Sequence, residues 1–193
     1  MTDLSQADSV LITRVRSGDE QAFQTLFDVY YAGLCAFAAT YIKVEEMAEE
    51  VVQDVLLDVW ERRARWVVSS SIKAYLYGAV RNKALDVLRR VRREDQLASQ
   101  VTTGEWPLGA ASARGSQLDQ IMTAEVWTAI RDAVDGMPEK RRAVFLLRWD
   151  HGMSYADIAS ATGTSIQAVE RQLVRALHSL RDALRAGRPA SEG

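Results

Sequence analysis

Apolar residues recur along this chain at the three-to-four spacing of helices, and alternating runs rich in β-branched residues are few. The pattern predicts an all-α protein. Asp19 and Glu20 precede a helix whose apolar side carries Phe23, Leu26, Phe27, Tyr30 and Tyr31, and further helices are expected over roughly 33–43, 45–63 and 71–93. These can pack as one bundle. The stretch 94–120 is rich in Ser, Thr, Gly and Ala, contains Trp106 followed by Pro107, and has Arg114 as its only basic residue, which is the composition of a flexible linker. A second bundle then starts with a helix over 122–135 and a Gly136-Met137-Pro138 break. A helix over 139–150 follows, with Pro138 well placed at its first turn, and then a helix-turn-helix. The expected organisation is therefore two small helical domains, 1–96 and 122–188, joined by a flexible linker over 97–121 and followed by a short tail over 189–193.

The segment from Ser154 to Leu177 carries the sharpest local pattern. Ala159 is small enough to let two helices cross closely, Gly163 can adopt the positive φ of a tight turn, and Val169 returns to pack under the first helix. Ser154 with Asp157 three residues on has the spacing of a capping box, and Thr164 or Ser165 can cap the second helix. Ile166, Val169, Leu173, Leu177, Leu180 and Leu184 fall on one apolar stripe, which leaves Gln167, Ala168, Arg171, Gln172 and Arg175 on the opposite face. Side chains so placed can reach base edges and phosphates of duplex DNA. A plain helical hairpin with a solvated basic face would show the same period.

The distribution of charge sharpens the picture, because the formal net charge of −2 conceals strong polarisation. Residues 1–61 carry 3 basic and 12 acidic side chains, whereas residues 62–93 carry 10 basic and one acidic, Asp86. In the helix over 45–63, Ala48, Val51, Val52, Val55 and Val59 form the apolar stripe. The other face bears Glu46, Glu50, Gln53, Asp54 and Glu61 around Leu57, with Trp60 nearby. A leucine amid acids suits a protein partner with a basic groove. The following helix has Ile72, Leu76, Val80, Val87 and Val91 as its core stripe, and Tyr77, Arg81, Asn82, Arg89 and Arg92 are expected to project outward, with Trp66, Lys73 and Tyr75 close by. Aromatics interleaved with cations suit single-stranded nucleic acid, by stacking and by phosphate neutralisation. The alternative is that some of Trp66, Tyr75 and Tyr77 belong to the core.

Other classes find little support. The lone Cys35, among Leu34, Ala36, Phe37 and Ala38, allows no internal disulfide and reads as a buried thiol. His151 and His178 lack metal-ligand spacing, and no nucleophile with its base or glycine-rich phosphate loop suggests an enzyme. No apolar run reaches the ~18 residues of a membrane span, and the acidic N-terminus lacks the plan of a signal peptide, so a cytoplasmic protein without bound cofactor or membrane insertion is expected.

Several motifs in order resemble the extracytoplasmic-function sigma factors of bacterial RNA polymerase. Gly18-Asp19-Glu20-Gln21-Ala22-Phe23 is similar to the family's opening, and Ala48 through Trp60 to the helix that docks on the polymerase clamp. Tyr75-Leu76 through Arg81-Asn82, with Asp86 to Arg90, resembles the promoter-melting region. Met137-Pro138, Phe145, Tyr155 to Ala159, Gly163, Ser165 and Val169 resemble the C-terminal helix-turn-helix. The resemblance implies that Glu50, Gln53, Asp54, Leu57 and Trp60 contact core polymerase. It implies that Lys73, Tyr77, Arg81, Asn82, Arg89 and Arg90 meet the minus-ten element, with Asn82 capturing a flipped base. Ser165, Gln167, Ala168, Arg171, Gln172 and Arg175 would then meet the minus-thirty-five element, and an anti-sigma factor is an implied partner. The chain departs from the family at Tyr75, where many members carry Trp, at Leu56 for Phe, at Ala168 for Thr and at Gln172 for Arg. A dimeric helix-turn-helix regulator of duplex DNA is the alternative reading; it leaves the acidic helix and the basic segment beside it without a role.

Overall fold

The computed structural model describes residues 6–98 and 124–186, with every regular element among them helical. The chain enters through α1 (Gln6–Arg16), a short helix that buries Ile12 and Val15 and that the periodicity had not marked. Asp19 then caps α2 (Glu20–Ala38): its carboxylate accepts the Ala22 N–H at 3.0 Å and the Arg14 Nε at 2.8 Å, and both contacts hold it below the usual carboxylate range. The expected break near residue 33 is absent, and α2 runs through Gly33 without interruption. That glycine makes room: a Cβ there would stand 2.6 Å from the Tyr77 hydroxyl and 3.7 Å from the His151 ring.

The next two helices complete the first bundle. α3 (Glu45–Glu61) buries Ala48, Val51, Val52, Val55, Leu56 and Val59, as its stripe predicts with Leu56 added. A single 3-10 turn over Arg63–Arg65 and a short loop lead to α4 (Ile72–Ala98), which extends past the expected end at 93. Ser71 caps α4, its Oγ accepting the Ala74 N–H at 3.0 Å. Of the stripe expected for α4, Ile72, Leu76 and Val80 are buried, while Val87 and Val91 are only partly so. The linker expected over 97–121 lies outside the described residues except for Leu97 and Ala98, with which α4 ends, and so does the tail.

The second group comprises α5 (Ala124–Asp135), α6 (Glu139–Trp149), α7 (Tyr155–Thr162) and α8 (Ile166–Ala186), with Pro138 as the N-cap of α6. α8 packs across α5, α6 and α7, and a small apolar cluster of Met137, Phe145 and Ala176 closes one end of this group. The two groups are not held apart. One apolar cluster runs from Ile12, Leu26, Phe37 and Val52 through Leu76 and Val80 to Leu147, Met153, Ile158 and Val169. Each of these large side chains gains ~1.5–3 kcal/mol from leaving water, and no polar or charged residue among those described is buried with them. No helix among the described residues is long and apolar enough to cross a membrane.

Candidate partner and nucleic-acid interfaces

The face of α3 opposite its buried stripe is open. Glu46, Glu50, Gln53, Asp54, Leu57 and Glu61 are all exposed there, and Leu57, at 55% exposure, is an apolar side chain with acids on either side. Neighbouring helices orient two members of this face. The Gln53 amide donates to the Tyr31 hydroxyl at 3.3 Å, and Asp54 pairs with Lys83 of α4 at 2.9 Å. Such an exposed pair adds at most ~1 kcal/mol, so its main effect is to join the acidic face to the start of the basic one. Trp60 sits differently from the other four expected partner residues. It is half-buried, its ring 4.9 Å from that of Phe23 and under the Arg63 guanidinium at 4.3 Å, so only its edge reaches this face.

The expected minus-ten residues of α4 divide along the helix. Asn82, Arg89 and Arg90 are exposed; Arg81 is half-buried and donates to the Asn82 side-chain oxygen at 3.4 Å, and Arg89 pairs with Asp86. Lys73 is half-buried, its Nζ donating to the His151 carbonyl. Tyr77 corrects the expectation outright: it does not project outward but is 2% exposed, its ring 5.2 Å from Phe37 and its hydroxyl 2.9 Å from His151 Nδ1. The cause is tertiary. The polar side of the first turns of α4, which period alone assigns to solvent, is covered by α7 and the loop that carries His151.

Beside this covered face lies a hollow that the sequence had marked only by proximity. Asp58, Arg62, Arg65, Trp66, Val67 and Tyr75 line it. Trp66 is core, at 3% exposure, with its indole N–H buried and without a hydrogen-bond partner among the described residues, while Tyr75 stands at the rim with its ring 5.7 Å from the indole in an edge-on contact. An unpaired buried donor is costly unless something supplies an acceptor. Arg62 and Arg65 share this lining with the carboxylates of Asp58 and Glu61, and Arg62 lies 3.6 Å from Asp58, so the charges of the hollow balance.

The helix-turn-helix forms as its caps predict. Ser154 Oγ accepts the Asp157 N–H at 3.1 Å, Gly163 takes the left-handed conformation with φ +62°, and Ser165 rather than Thr164 caps α8, its Oγ accepting the Ala168 N–H at 3.2 Å. The capping box is not reciprocal, because the Asp157 carboxylate accepts from the Ser154 and Ser71 hydroxyls instead of the Ser154 backbone. On α8 the buried line is Val169, Leu173 and Ala176, with Leu180 partly buried beside it, while Ile166 and Leu177, expected in the stripe, are 44% and 42% exposed. Steps of four drift: at ~100° per residue, Ile166 and Leu177 lie roughly 70° and 90° to one side of the line through Val169 and Ala176. The opposite face is as expected. Ser165, Gln167, Arg171 and Arg175 are exposed, and Ala168 and Gln172 flank it partly buried.

Comparison with known proteins shows the family to which these helices belong. The family model described as Sigma-70 region 2 matches residues 26–94, and that described as Sigma-70, region 4 matches residues 127–180. Among curated proteins, the chain is 28% identical over 171 residues to the RNA polymerase sigma factor CarQ of Myxococcus xanthus, covering 89% of this chain and 94% of that one. It is 25% identical over 185 residues to the ECF RNA polymerase sigma factor RpoE of Cereibacter sphaeroides, covering 94% and 98%. Two solved structures share the fold. The sigma factor RpoE of Bartonella quintana, solved with the anti-sigma factor NepR, gives a TM-score of 0.64 at 23% identity over 86% of this chain and 98% of that one. CnrH, solved with the cytosolic domain of CnrY, gives 0.65 at 23% identity over 94% and 99%.

Proposed function

The chain belongs to the sigma-70 family, as a two-domain member of the extracytoplasmic-function type, and from that premise we propose that it directs bacterial RNA polymerase core to promoters through three surfaces with separate tasks. Glu50, Gln53, Asp54 and Leu57 of α3, with the edge of Trp60, dock on the clamp helices of the largest polymerase subunit. A leucine ringed by acids complements a groove that is basic at its rim and apolar at its floor. The exposed part of α4, with Asn82, Arg81, Arg89 and Arg90, takes the melted minus-ten element, and the Tyr75 ring at the rim of the hollow offers an extruded base a surface to stack on. Lys73 and Tyr77 join that surface only when α7 is not on them. Ser165, Gln167, Ala168, Arg171, Gln172 and Arg175 meet the minus-thirty-five element in the major groove.

The observation that carries this reading is the coexistence, in one chain, of the acidic leucine-centred face of α3, the basic helix paired to it through Asp54 and Lys83, and an open recognition face on α8. A regulator that only bound duplex DNA would need the last of these alone. The protein acts in the cytoplasm, performs no catalysis of its own, and is held in check by an anti-sigma factor, as the partner of the Bartonella quintana relative suggests. Its domains are those of the sequence, residues 1–96 and 122–188, joined through 97–121. Co-purification with core polymerase tests the partner surface. Gln53→Ala with Leu57→Asp should abolish it while leaving helical content unchanged, because both side chains lie outside the core; retained co-purification would remove this face from the account.

A further inference from the structure

We propose that α1 is a strut for the minus-ten surface: Asp8 and Arg16 fix the two ends of the segment 64–72, part of which walls the hollow beside Tyr75, and so set the shape that the melted strand meets. The inference rests on the sigma-factor reading and adds two positioning residues to it, from a helix to which that reading gives no contact with DNA. Asp8 and Arg16 lie two steps of four apart, ~12 Å along the helix, with Ile12 midway on the same face. Ile12 and Val15 are buried in the core, so α1 is pinned between its two polar ends. At one end, Asp8 Oδ2 accepts the Ile72 N–H at 3.3 Å, which sets a carboxylate at the first turn of α4, where the helix dipole favours one. At the other end, Arg16 Nη2 donates to the Ala64 carbonyl at 3.5 Å, on the 3-10 turn against which α1 packs.

The segment between these anchors has few other constraints on its path. Val67, Val68, Ser69 and Ser70 make no backbone hydrogen bond to another described residue. The buried side chains of Trp66 and Val68 hold its middle, while Val67 is 73% exposed. Ala64, Arg65, Trp66 and Val67 line the hollow from within this segment, and Tyr75 lines it from the first turn of α4 just beyond. That turn is capped twice. Ser71 takes the Ala74 N–H from inside the segment, and Asp8 takes the Ile72 N–H from a helix some sixty residues earlier in the chain. Both contacts of α1 are long and reach solvent, so their contribution to global stability is small. Their effect is on geometry: released at its ends, the wall can move, and a displacement of ~1 Å is enough to loosen a binding site.

Asp8→Ala with Arg16→Ala in the full chain tests the strut, because Ile12 and Val15 remain to hold α1 in place. In the free protein, hydrogen–deuterium exchange over 64–74 should quicken roughly tenfold while exchange within α3 is unchanged. In the complex with core polymerase, affinity for single-stranded DNA carrying the non-template minus-ten sequence of a promoter recovered by run-off transcription should fall roughly fivefold, with affinity for core and selection at the minus-thirty-five element within about twofold of wild type. Asp8→Asn keeps an oxygen for the Ile72 N–H and should retain most of the wild-type behaviour that Asp8→Ala loses. Unchanged exchange over 64–74 would overturn the strut. So would a loss of core affinity as large as the loss of minus-ten binding, or an Asp8→Asn variant as impaired as Asp8→Ala, since α1 would then serve the fold alone. If the double variant does not fold, Asp8→Ala by itself must show the same division between the two affinities, and equal losses would overturn the proposal. A wild-type chain that neither binds core nor initiates anywhere brings down the sigma-factor reading instead, because the exchange measurement needs no polymerase.

Discussion

α4 and α8 both carry arginines and amides on the face away from their apolar stripe, yet the chain treats the two faces differently. α8 holds Gln167, Arg171 and Arg175 in solvent over two turns, whereas α4 has its first polar turns under another helix and exposes Asn82, Arg89 and Arg90 further along. Amphipathic period tells which side of a helix must be buried. It is silent on whether a distant part of the chain will use the other side as well, and here Gly33, Gly78 and His151 decide that question.

The largest expected difference between the two regions is in stability. Phe37 is 1% exposed and lies against Tyr41, Tyr77 and His151, so it belongs to the junction that closes α7 over α4. Phe37→Ala should cost ~3–5 kcal/mol in denaturant unfolding, while Arg171→Ala, at an exposed position, should stay within ~0.5 kcal/mol. Equal effects would mean that the junction is not packed as described.

Specificity should split the regions next. Alanine at a base-reading residue among Arg171, Gln172 and Arg175 should relax selection at one upstream position by roughly 1–3 kcal/mol, whereas alanine at a phosphate contact should lower the salt dependence without changing the preferred sequence. Asn82→Ala should alter preference at one minus-ten base and leave the upstream element as before, because an extruded base needs an amide to pair with its polar edge. Selection from randomised promoters decides both; one sequence preference shared by wild type and all four variants would strip both helices of a reading role.

The smallest effect is that of pH on the contact between Tyr77 and His151. Burial, aided by the Lys73 charge, pulls the His151 imidazole down to about 4, so the folded chain favours the neutral ring that meets Tyr77. A basic group depressed in this way lends the fold its full support above its ordinary value of about 6.5, and that support drains away as pH falls toward 4. Asp150 works in the opposite sense: it is exposed as a residue, but its carboxyl is partly desolvated and raised, while Lys73 and Tyr77 face the ring from α4. Stability toward denaturant should fall between pH 6.5 and 5. His151→Asn should remove most of that slope, and an unaltered slope would assign it elsewhere.

Local chemistry made much of this legible in the sequence. The caps at Asp19, Ser154 and Ser165, the left-handed Gly163 and the stripes of α3 and α8 are set by residues within a few positions of one another, and they were readable for that reason. α1 was missed because Val10, Leu11, Ile12 and Val15 make too short a run to separate from a strand or loop. Gly33 looked like a break because its function depends on Tyr77 and His151, which come from 44 and 118 residues away along the chain. Of the candidate site, the α3 face and the α8 face follow from period alone. Tyr77 and the hollow at Trp66 do not, since both depend on what folds over or beside α4.

The central claim is that this chain turns core polymerase into a promoter-specific enzyme, and run-off transcription with purified core from its host on a library of host genomic fragments tests it most directly. The account predicts transcripts that start at a limited set of sites only when both proteins are present, sharing an upstream and a minus-ten element, and lost with Gln53→Ala plus Leu57→Asp. No new start site across the library, together with tight binding of the chain alone to duplex palindromes as a symmetric dimer, would contradict it.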